Sequence, residues 1–511
     1  MKNYKIYLPG IVCLLISILL GLMVLKDYGV SWDEPIQRNT GYMNYNYIFK
    51  NDASLLEYFD KDYGVSFELP LIFIEKIFSL SDARDIFLVR HLATHLFFLL
   101  GTFCAYLLTL RLFKSQFLAC LCFAILTFHP RLYVHSFVNS KDIPFLSTFL
   151  IAFFLSEIAF RKDKSLWFIL LGLVCGYATG IRVMGMMLTC CFIFFLVLDG
   201  LKNRSKKTLR YLILFIIAHF FILILLWPNL WSDPVNNLIG AFRSFSHFRW
   251  EGHVLFGGQI IPATQLGWDY FPTWFAITTP ELWLPLGFAG LLAVIVHFVK
   301  FPRTYLGRTQ ERNYVLYAAC FLMPILAVIV FKSVLYDGWR HLFFVFPSFV
   351  LLLIFFVSKL LKTKFKKVVM GLCIVQLLFT AGFFVRNHPY QQVYFNHFVS
   401  HEIEYLRHQY ELDYWGMSLS KGLNYILDHD SSANVRVFLS LTPITNNIDF
   451  LPAEKRKRIQ GVDRQETPYY FLTNFRGHPE DYPYQKNFYE IQVLNNTILR
   501  VYKVEKGEEN L

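Results

Sequence analysis

The feature that most constrains this chain is a series of apolar runs, each long enough to cross the hydrocarbon core of a bilayer. A helix needs about 20 apolar residues for that crossing, and we count about eleven such helices. They are predicted near residues 6–25, 86–110, 115–130, 143–160, 165–180, 183–199, 210–227, 280–299, 313–331, 341–358 and 367–386. The sequence therefore predicts a polytopic α-helical membrane protein.

The basic residues are distributed in a way that predicts the orientation of these helices. The net charge of +12 would suit nucleic-acid binding, but the basic residues form short clusters in alternate loops between the apolar runs. The clusters are Arg111/Lys114, Arg161/Lys162/Lys164, Lys202 to Arg210, Lys300 to Arg312 and Lys359 to Lys367. Loops rich in Lys and Arg remain in the cytoplasm, so the N-terminus is predicted to be cytoplasmic and no nucleic-acid partner is expected.

The opposite loops are then predicted to be external. They comprise residues 26–85, 129–143, 181–183, 228–280 and 332–340, together with everything after the last apolar run. The chain thus divides into a membrane part, residues 1–386, and an extracytoplasmic domain, residues 387–511.

The C-terminal region has the composition of a small α/β domain. An amphipathic helix is predicted over 418–427 and strands over 435–441, 469–472, 488–493 and 498–504, the last pair joined by a tight turn at Asn495-Asn496. All nine cysteines fall in or beside apolar runs, so neither a disulfide framework nor a cysteine-based zinc site is expected.

Two adjacent carboxylates follow the first apolar run, in the segment Ser31-Trp32-Asp33-Glu34-Pro35. Carboxylates close to a bilayer are costly unless they are paired or used. One interpretation is functional. The other is a helix that begins at Pro35 and has both carboxylates facing its dipole. The residues alone leave these two interpretations balanced.

The second predicted external loop is short and densely polar. It contains His129, Arg131, His135, Lys141 and Asp142 between two apolar runs. A capped turn, with Asp142 at the start of the next helix, would explain part of this pattern. So many titratable groups between two spanning helices favour a functional site.

Three further polar motifs border predicted helices. Tyr336-Asp337-Gly338-Trp339-Arg340-His341 contains a guanidinium that either binds a phosphate bidentately or extends to the membrane interface. Arg90-His91 begins an earlier helix, where the interfacial interpretation is favoured. His388–Asn396 with Glu411–Gly416 lies where the chain leaves the membrane, and a packing hinge is its simplest interpretation.

Nucleotide chemistry is not encoded in a recognisable form. The sequence has no phosphate-cradling GxxxxGK[ST] pattern, no GxGxxG and no HExxH. A transferase that works outside the cytoplasm has little nucleotide-sugar available. A lipid-linked donor that reaches the site from within the bilayer would solve that problem.

These motifs, taken in order, resemble those of the GT-C membrane glycosyltransferases, specifically the family 39-like branch. That branch includes dolichyl-phosphate-mannose protein mannosyltransferases and the aminoarabinose transferase of lipid A. The resemblance implies a GT-C fold and the transfer of a sugar from a polyprenyl-phosphate donor to an acceptor hydroxyl, with inversion. The chain lacks the WWDYG-type motif of the oligosaccharyltransferase branch, and Asp413-Tyr414-Trp415-Gly416 has a different order.

The resemblance also implies roles for individual residues. Asp33 corresponds to the general base at the acceptor hydroxyl, Glu34 would orient it or bind substrate, and Asp142 matches a second acidic residue. The leaving group becomes a lipid phosphate, so cations are expected where its charge grows, with Arg340 as the first candidate. The predicted substrate-binding residues are Arg340, His341, Lys141, Arg131, His135, Arg90, Tyr336 and Asp337.

No cofactor is predicted. Asp33, Glu34 and Asp142 could hold a divalent cation through oxygen ligands, but the mannosyltransferase-like relatives generally need none. The acceptor stays open between a protein, a glycan and a lipid. A cysteine-free external domain and the absence of an ER-retrieval signal favour a bacterial inner membrane over an ER membrane.

A membrane transporter or lipid flippase is the alternative, with a non-catalytic scaffold as a third reading. Transporters place ionisable residues near the bilayer midplane, within broken helices and repeats. Here the charged motifs concentrate at one predicted face and no repeat is evident, which favours the transferase.

Overall fold

The computed structural model describes residues 6–246, 250–307, 310–464 and 466–508. The predicted cytoplasmic start at residues 1–5, residues 247–249 of the loop 228–280 and residues 308–309 of the basic loop lie outside this range, as do residues 465 and 509–511.

The membrane part consists of helices joined mostly by short turns. Its helices are α1 (Leu8–Val24), α2 (Glu34–Lys50), α3 (Glu68–Ile77), α4 (Ala83–Phe113), α5 (Gln116–Thr127), α6 (Pro130–Val138), α7 (Asp142–Lys162), α8 (Ser165–Thr179), α9 (Met186–Asn203), α10 (Lys206–Leu225), α11 (Pro234–Ser246), α12 (Tyr270–Thr278), α13 (Trp283–Lys300), α14 (Pro302–Leu306), α15 (Glu311–Val330), α16 (Phe346–Leu360) and α17 (Lys366–Arg386). A small hairpin of β1 (His253–Phe256) and β2 (Gln259–Pro262) interrupts the segment between α11 and α12.

The predicted polytopic helical fold is confirmed. Within the described residues, 8 helices are long and apolar enough to cross a membrane, and a ninth span results if α5 and α6, bent by 61°, are one unit. Helices α1 and α8 are apolar but shorter. Every one of the predicted apolar runs therefore forms a helix, and the protein is an integral membrane protein.

Glycines allow a close contact between α8 and α10. On α8, Gly172 and Gly176 face α10 at the i, i+4 spacing that places small residues on one side of a helix. A Cβ on Gly172 would lie 2.4 Å from the Phe215 carbonyl oxygen, and one on Gly176 would lie 2.2 Å from the His219 carbonyl oxygen. The two backbones therefore pack against each other with no side chain between them.

The predicted external loop 129–143 is largely helical. Residues 130–138 form α6, in which every residue is buried. Pro130 at the first helical position starts this helix, because its missing N–H would have no intrahelical partner there. The polar residues of α6 contact other protein groups. This polar segment is therefore part of the protein interior.

The C-terminal region forms the predicted α/β domain. It contains α18 (Tyr405–Gln409), α19 (Leu419–His429), α20 (Thr442–Phe450), α21 (Ala453–Arg456), β3 (Val435–Phe438), β4 (Ile459–Val462), β5 (Tyr469–Thr473), β6 (Asn487–Val493) and β7 (Asn496–Val504). The strand order is β4-β3-β5-β7-β6, with β3 parallel to both β4 and β5 and the remaining pairs antiparallel.

Two details of this domain differ from the sequence prediction. The hairpin turn is centred on Leu494-Asn495, one residue earlier than predicted, because Val493 pairs with Asn496 and both central residues have positive φ. Strand β4 and helix α20 were not predicted. A glycine within a four-residue edge strand weakens the alternation of apolar and polar residues that identifies a strand.

Candidate active site

The predicted motifs of three separate loops meet at one cavity of about 280 Å³. Its charged lining includes Asp33, Asp60, Lys141, Arg182, Arg340 and Arg476. The lining also contains apolar side chains, such as Met184, Val328, Leu335, Leu342 and Phe344. A smaller cavity of about 190 Å³ adjoins the larger one, because Tyr63, Arg182 and Trp250 line both. The site thus combines charged and apolar lining residues.

Asp33 occupies the position before α2, which begins at Glu34 with Pro35 in its first turn. Its carboxylate is 27% exposed, and Oδ2 lies 3.2 Å from Nη1 of Arg340. Burial raises the pKa of Asp33 above its ordinary value, and the Arg340 guanidinium opposes that shift. The carboxylate is therefore accessible from the cavity and is held by a single ion pair.

Arg340 is the centre of the charged groups at the site. Its side chain is buried, Nε donates to Asp337 Oδ2 at 3.1 Å, and Nη1 lies 3.5 Å from Asp142 Oδ2. The guanidinium also stacks near the rings of Tyr336 and Trp415, at 4.7 and 5.1 Å. These contacts fix the direction of the cation, while its Nη2 has no hydrogen-bond partner among the described residues.

Asp142 begins α7 and is buried behind the cavity wall. Oδ2 accepts from Asn139 Nδ2 at 2.9 Å, and Oδ1 forms an ion pair with Arg182. Its own backbone N–H donates to Asn139 Oδ1 at 2.8 Å. Asp142 therefore contacts two guanidinium groups and does not line the cavity.

Lys141 precedes Asp142 and does line the cavity. Its ammonium lies 3.2 Å from the centre of the Tyr63 ring. Burial, together with the positive charge of Arg182, lowers the pKa of Lys141 to about 7. Burial thus disfavours the charged ammonium, and a bound anion would favour it.

Tyr336, Asp337 and His341 are all at the site, as the sequence predicted for one motif. Tyr336 and His341 line the cavity and pack against each other with ring centroids 4.6 Å apart. Asp337 accepts from Trp415 Nε1 at 3.0 Å and from Arg476 at 2.8 Å, in addition to Arg340. The Asp337 carboxylate thus binds Arg340 of its own motif and Trp415 and Arg476 of the C-terminal domain.

Glu34 has a different environment from its neighbour Asp33. One of its oxygens accepts from the Ser31 backbone N–H at 2.7 Å, and the other lies 2.7 Å from His91 Nε2. The side chain is buried, so it fixes the loop that presents Asp33. His91 is the partner that the motif Arg90-His91 contributes.

Three of the predicted substrate-binding residues lie away from the larger cavity. Arg90 forms ion pairs with Glu68 and Glu75, and Glu68 also accepts from Ser140. Arg131 lies between the rings of Trp274 and Phe395, at 5.0 and 5.2 Å. His135 contacts Tyr414 Oη at 3.0 Å and Asn139 at 3.1 Å. None of the three lines the larger cavity, and substrate contact by these residues stays a prediction.

The three carboxylates considered for a metal do not converge. Asp33 contacts Arg340, Glu34 contacts His91, and Asp142 contacts Arg182 and Arg340. Among the described residues, no group of three or more His, Cys, Asp or Glu side chains has metal-ligand geometry. The donor set therefore does not fit a divalent cation, and the metal-free reaction stays a prediction.

Two cavity cations were not predicted. Arg182 comes from the turn between α8 and α9, and Arg476 comes from the segment after β5 of the C-terminal domain. Arg476 donates to Asp337 Oδ1 at 2.8 Å and stacks over Trp32 at 5.2 Å. The membrane part and the C-terminal domain thus build the site together.

Helix α20 of the C-terminal domain forms hydrogen bonds with the loop that precedes Asp33. Asn447 Oδ1 accepts from the Val30 backbone N–H at 3.0 Å, and its Nδ2 donates to the Val30 carbonyl oxygen at 3.0 Å. Asn446 Nδ2 donates to the Ser31 carbonyl oxygen at 3.1 Å. The Asn447 amide thus binds both the N–H and the carbonyl oxygen of Val30, as the backbone of a neighbouring β-strand would. Val30 lies three residues before Asp33.

The model of the dolichyl-phosphate-mannose-protein mannosyltransferase family matches residues 71–227. This match covers less than half of the chain and includes α4 to α10 with Lys141, Asp142 and Arg182. No curated protein sequence matches the chain significantly. Over these residues, the family match confirms the predicted resemblance to family 39-like GT-C proteins.

Solved structures of two proteins are similar to the chain at low identity. ArnT from Cupriavidus metallidurans, bound to undecaprenyl phosphate, is 12% identical with a TM-score of 0.47, and the match covers 98% of both chains. The oligosaccharyltransferase of Archaeoglobus fulgidus in the apo form is 12% identical with a TM-score of 0.46, over 95% of this chain and 62% of that one.

Proposed function

We propose that the protein transfers a sugar from a polyprenyl-phosphate-linked donor to an acceptor hydroxyl, with inversion, and that Asp33 is the general base. The observation that carries this proposal is the pairing of Asp33 with Arg340 in a cavity that is also lined by apolar side chains. A lipid phosphate needs cations for its headgroup and apolar surface for its chain, and this cavity offers both.

The reaction needs a base at the acceptor hydroxyl and cations at the phosphate that leaves. Asp33 takes the proton of the acceptor hydroxyl as the oxygen forms its bond to that carbon, and the bond to the phosphate oxygen breaks. The released lipid phosphate carries more negative charge than the donor, and Arg340 and Lys141 stabilise that charge. One bond forms and one breaks, so a single displacement inverts the configuration.

The ion pair between Asp33 and Arg340 links donor binding to this chemistry. An opposite charge close to a carboxylate lowers its basicity. A donor phosphate that binds Arg340 competes for the guanidinium and leaves Asp33 a stronger base. The base is thus activated when the donor is present.

We further propose that the cavity opens on the extracytoplasmic side of a bacterial inner membrane. Helix α7 starts at the site with Asp142 and ends with the basic residues Arg161 and Lys162. Its 21 residues span roughly 30 Å, about the thickness of the hydrocarbon core. The site and this basic cluster therefore occupy opposite faces, and positive loops are cytoplasmic.

Replacement of Asp33 by Asn tests the role of the base. A general base contributes roughly 10²- to 10⁴-fold to a rate, so kcat should fall by that factor while donor binding persists. Asp52→Asn is the matched control, since Asp52 caps the turn at 53–57 and contacts Ser54. Transfer at the wild-type rate by Asp33→Asn, or a product with retained configuration, would contradict the proposal.

A further inference from the structure

The turn that contains Arg182 is fixed by backbone contacts. The Gly180 carbonyl oxygen accepts from the Ser66 backbone N–H at 3.0 Å, and a Cβ on Gly64 would lie 2.1 Å from that same oxygen. The Arg182 backbone N–H donates to the Ala178 carbonyl oxygen at 3.0 Å. The start of the arginine side chain is therefore held in place, and it extends to the wall shared by the two cavities.

The carboxylate of Asp142 connects this arginine to Arg340. Oδ1 is the partner of Arg182, and Oδ2 contacts both Arg340 Nη1 at 3.5 Å and Asn139 Nδ2 at 2.9 Å. The side chain of Asp142 is 2% exposed, so neither oxygen is available to a substrate. Asp142 can act on a ligand only through the two guanidinium groups.

Both guanidinium groups retain donors that the protein does not use. Among the described residues, Arg182 Nε and Arg340 Nη2 are buried and have no hydrogen-bond partner. The two side chains are 9% and 3% exposed, yet both line the larger cavity, where Lys141 lies as well. Buried donors on cations are costly unless an acceptor, above all an anionic one, pairs with them.

A second buried arginine–aspartate pair in the chain differs from the cluster of Arg182, Arg340 and Asp142. Arg312 and Asp199 form another buried pair, with Nη–Oδ distances of 3.0 and 2.7 Å. Arg312 also has an unpartnered Nε, but both of its Nη atoms bind protein oxygens, including the Leu306 carbonyl. Arg312 lines neither of the two cavities at the site. Arg182 and Arg340 differ from it because both side chains line the larger cavity.

We propose that Arg182 and Arg340 form a two-armed clamp for the phosphate of the lipid-linked donor, and that Asp142 is the positioning residue that holds both arms. This inference rests on the proposed function and refines it. The ligand of the clamp is a phosphodiester in the donor and a phosphate monoester in the product. Asp142 then takes no part in proton transfer.

Binding of undecaprenyl phosphate and of undecaprenol to the purified protein in nanodiscs tests the clamp. Arg182→Ala should bind the phosphate roughly 10- to 100-fold more weakly, the range for lost charge-assisted hydrogen bonds, and bind the alcohol unchanged. Asp142→Asn should weaken phosphate binding in the wild-type background and have a much smaller effect in Arg182→Ala, since contacting groups couple. Arg182→Lys should recover part of the affinity.

The control variant is Arg312→Ala, which breaks a buried ion pair of similar geometry away from the cavity. It should bind both lipids as the wild-type protein does. Wild-type phosphate affinity in Arg182→Ala, or an equal loss for undecaprenol, would overturn the clamp. If the wild-type protein itself does not distinguish phosphate from alcohol, the proposed function fails and the clamp fails with it.

Discussion

At the residue scale, the sequence identified the side chains whose chemistry is conspicuous next to apolar runs. Asp33, Lys141 and Arg340 were predicted, and all three line one cavity. Arg182 and Arg476 were not, because Arg182 belongs to a short turn and Arg476 belongs to the C-terminal domain, far from Lys141 in the chain. The presence of Arg182 in the predicted loop 181–183 was the available signal, since charge in so short a turn needs a partner.

Lys141 leads to a prediction about pH. The pKa of Lys141 is lowered to about 7 in the free protein, so the ammonium loses its proton as the pH rises through that value. The KM for donor should therefore increase between about pH 7 and 9, because fewer molecules carry the charge that binds phosphate. Lys141→Arg should remove this increase, since a guanidinium stays protonated there.

The measurement is initial transfer rate against donor concentration at a series of pH values. A pH-independent KM in the wild-type protein, or the same alkaline increase in Lys141→Arg, would contradict a phosphate-binding role. A fall of kcat/KM at low pH in both proteins is expected as well, because Asp33 must be deprotonated to act as a base.

At the element scale, apolar runs were enough to place the long helices, because burial in lipid requires about 20 apolar residues in succession. Helix α6 escaped prediction because it has nine residues and carries Arg131 and His135. Polar side chains of this kind are typical of a solvated loop. In the structure, however, Arg131 packs against Trp274 and Phe395, and His135 contacts Tyr414. Long-range packing of this kind cannot be seen in a local pattern.

Helix α20 gives a prediction at this scale. Asn447→Ala removes the amide that binds both backbone groups of Val30, so the loop that presents Asp33 loses its support. We expect kcat to fall about tenfold and the free energy of unfolding to fall by about 1–3 kcal/mol.

Asn424→Ala is the matched control on α19, where Asn424 donates to the Ser420 carbonyl oxygen and contacts Lys455. Rates of transfer and denaturant unfolding should be compared for both variants. Full activity in a folded Asn447→Ala protein would show that α20 does not position the base.

At the scale of the whole molecule, two units of different composition share one site. The C-terminal domain contributes Arg476 to the cavity and holds the Val30–Ser31 backbone through α20. The sequence predicted the two units and their boundary region, but it did not predict that the domain is part of the site. The contacts of α20 with Val30 and Ser31 connect residues more than 400 positions apart, and no local pattern encodes such a pairing.

The central claim is that the protein cleaves the bond between a sugar and a lipid phosphate. The most direct test is to incubate the purified protein with a labelled polyprenyl-phosphate-linked sugar and an acceptor, and to quantify free polyprenyl phosphate against glycosylated acceptor. Equal amounts of the two products, with at least 10²-fold less of both from Asp33→Asn, are the predicted result. Donor that remains intact, or that moves across the membrane without cleavage, would contradict the account and favour a flippase.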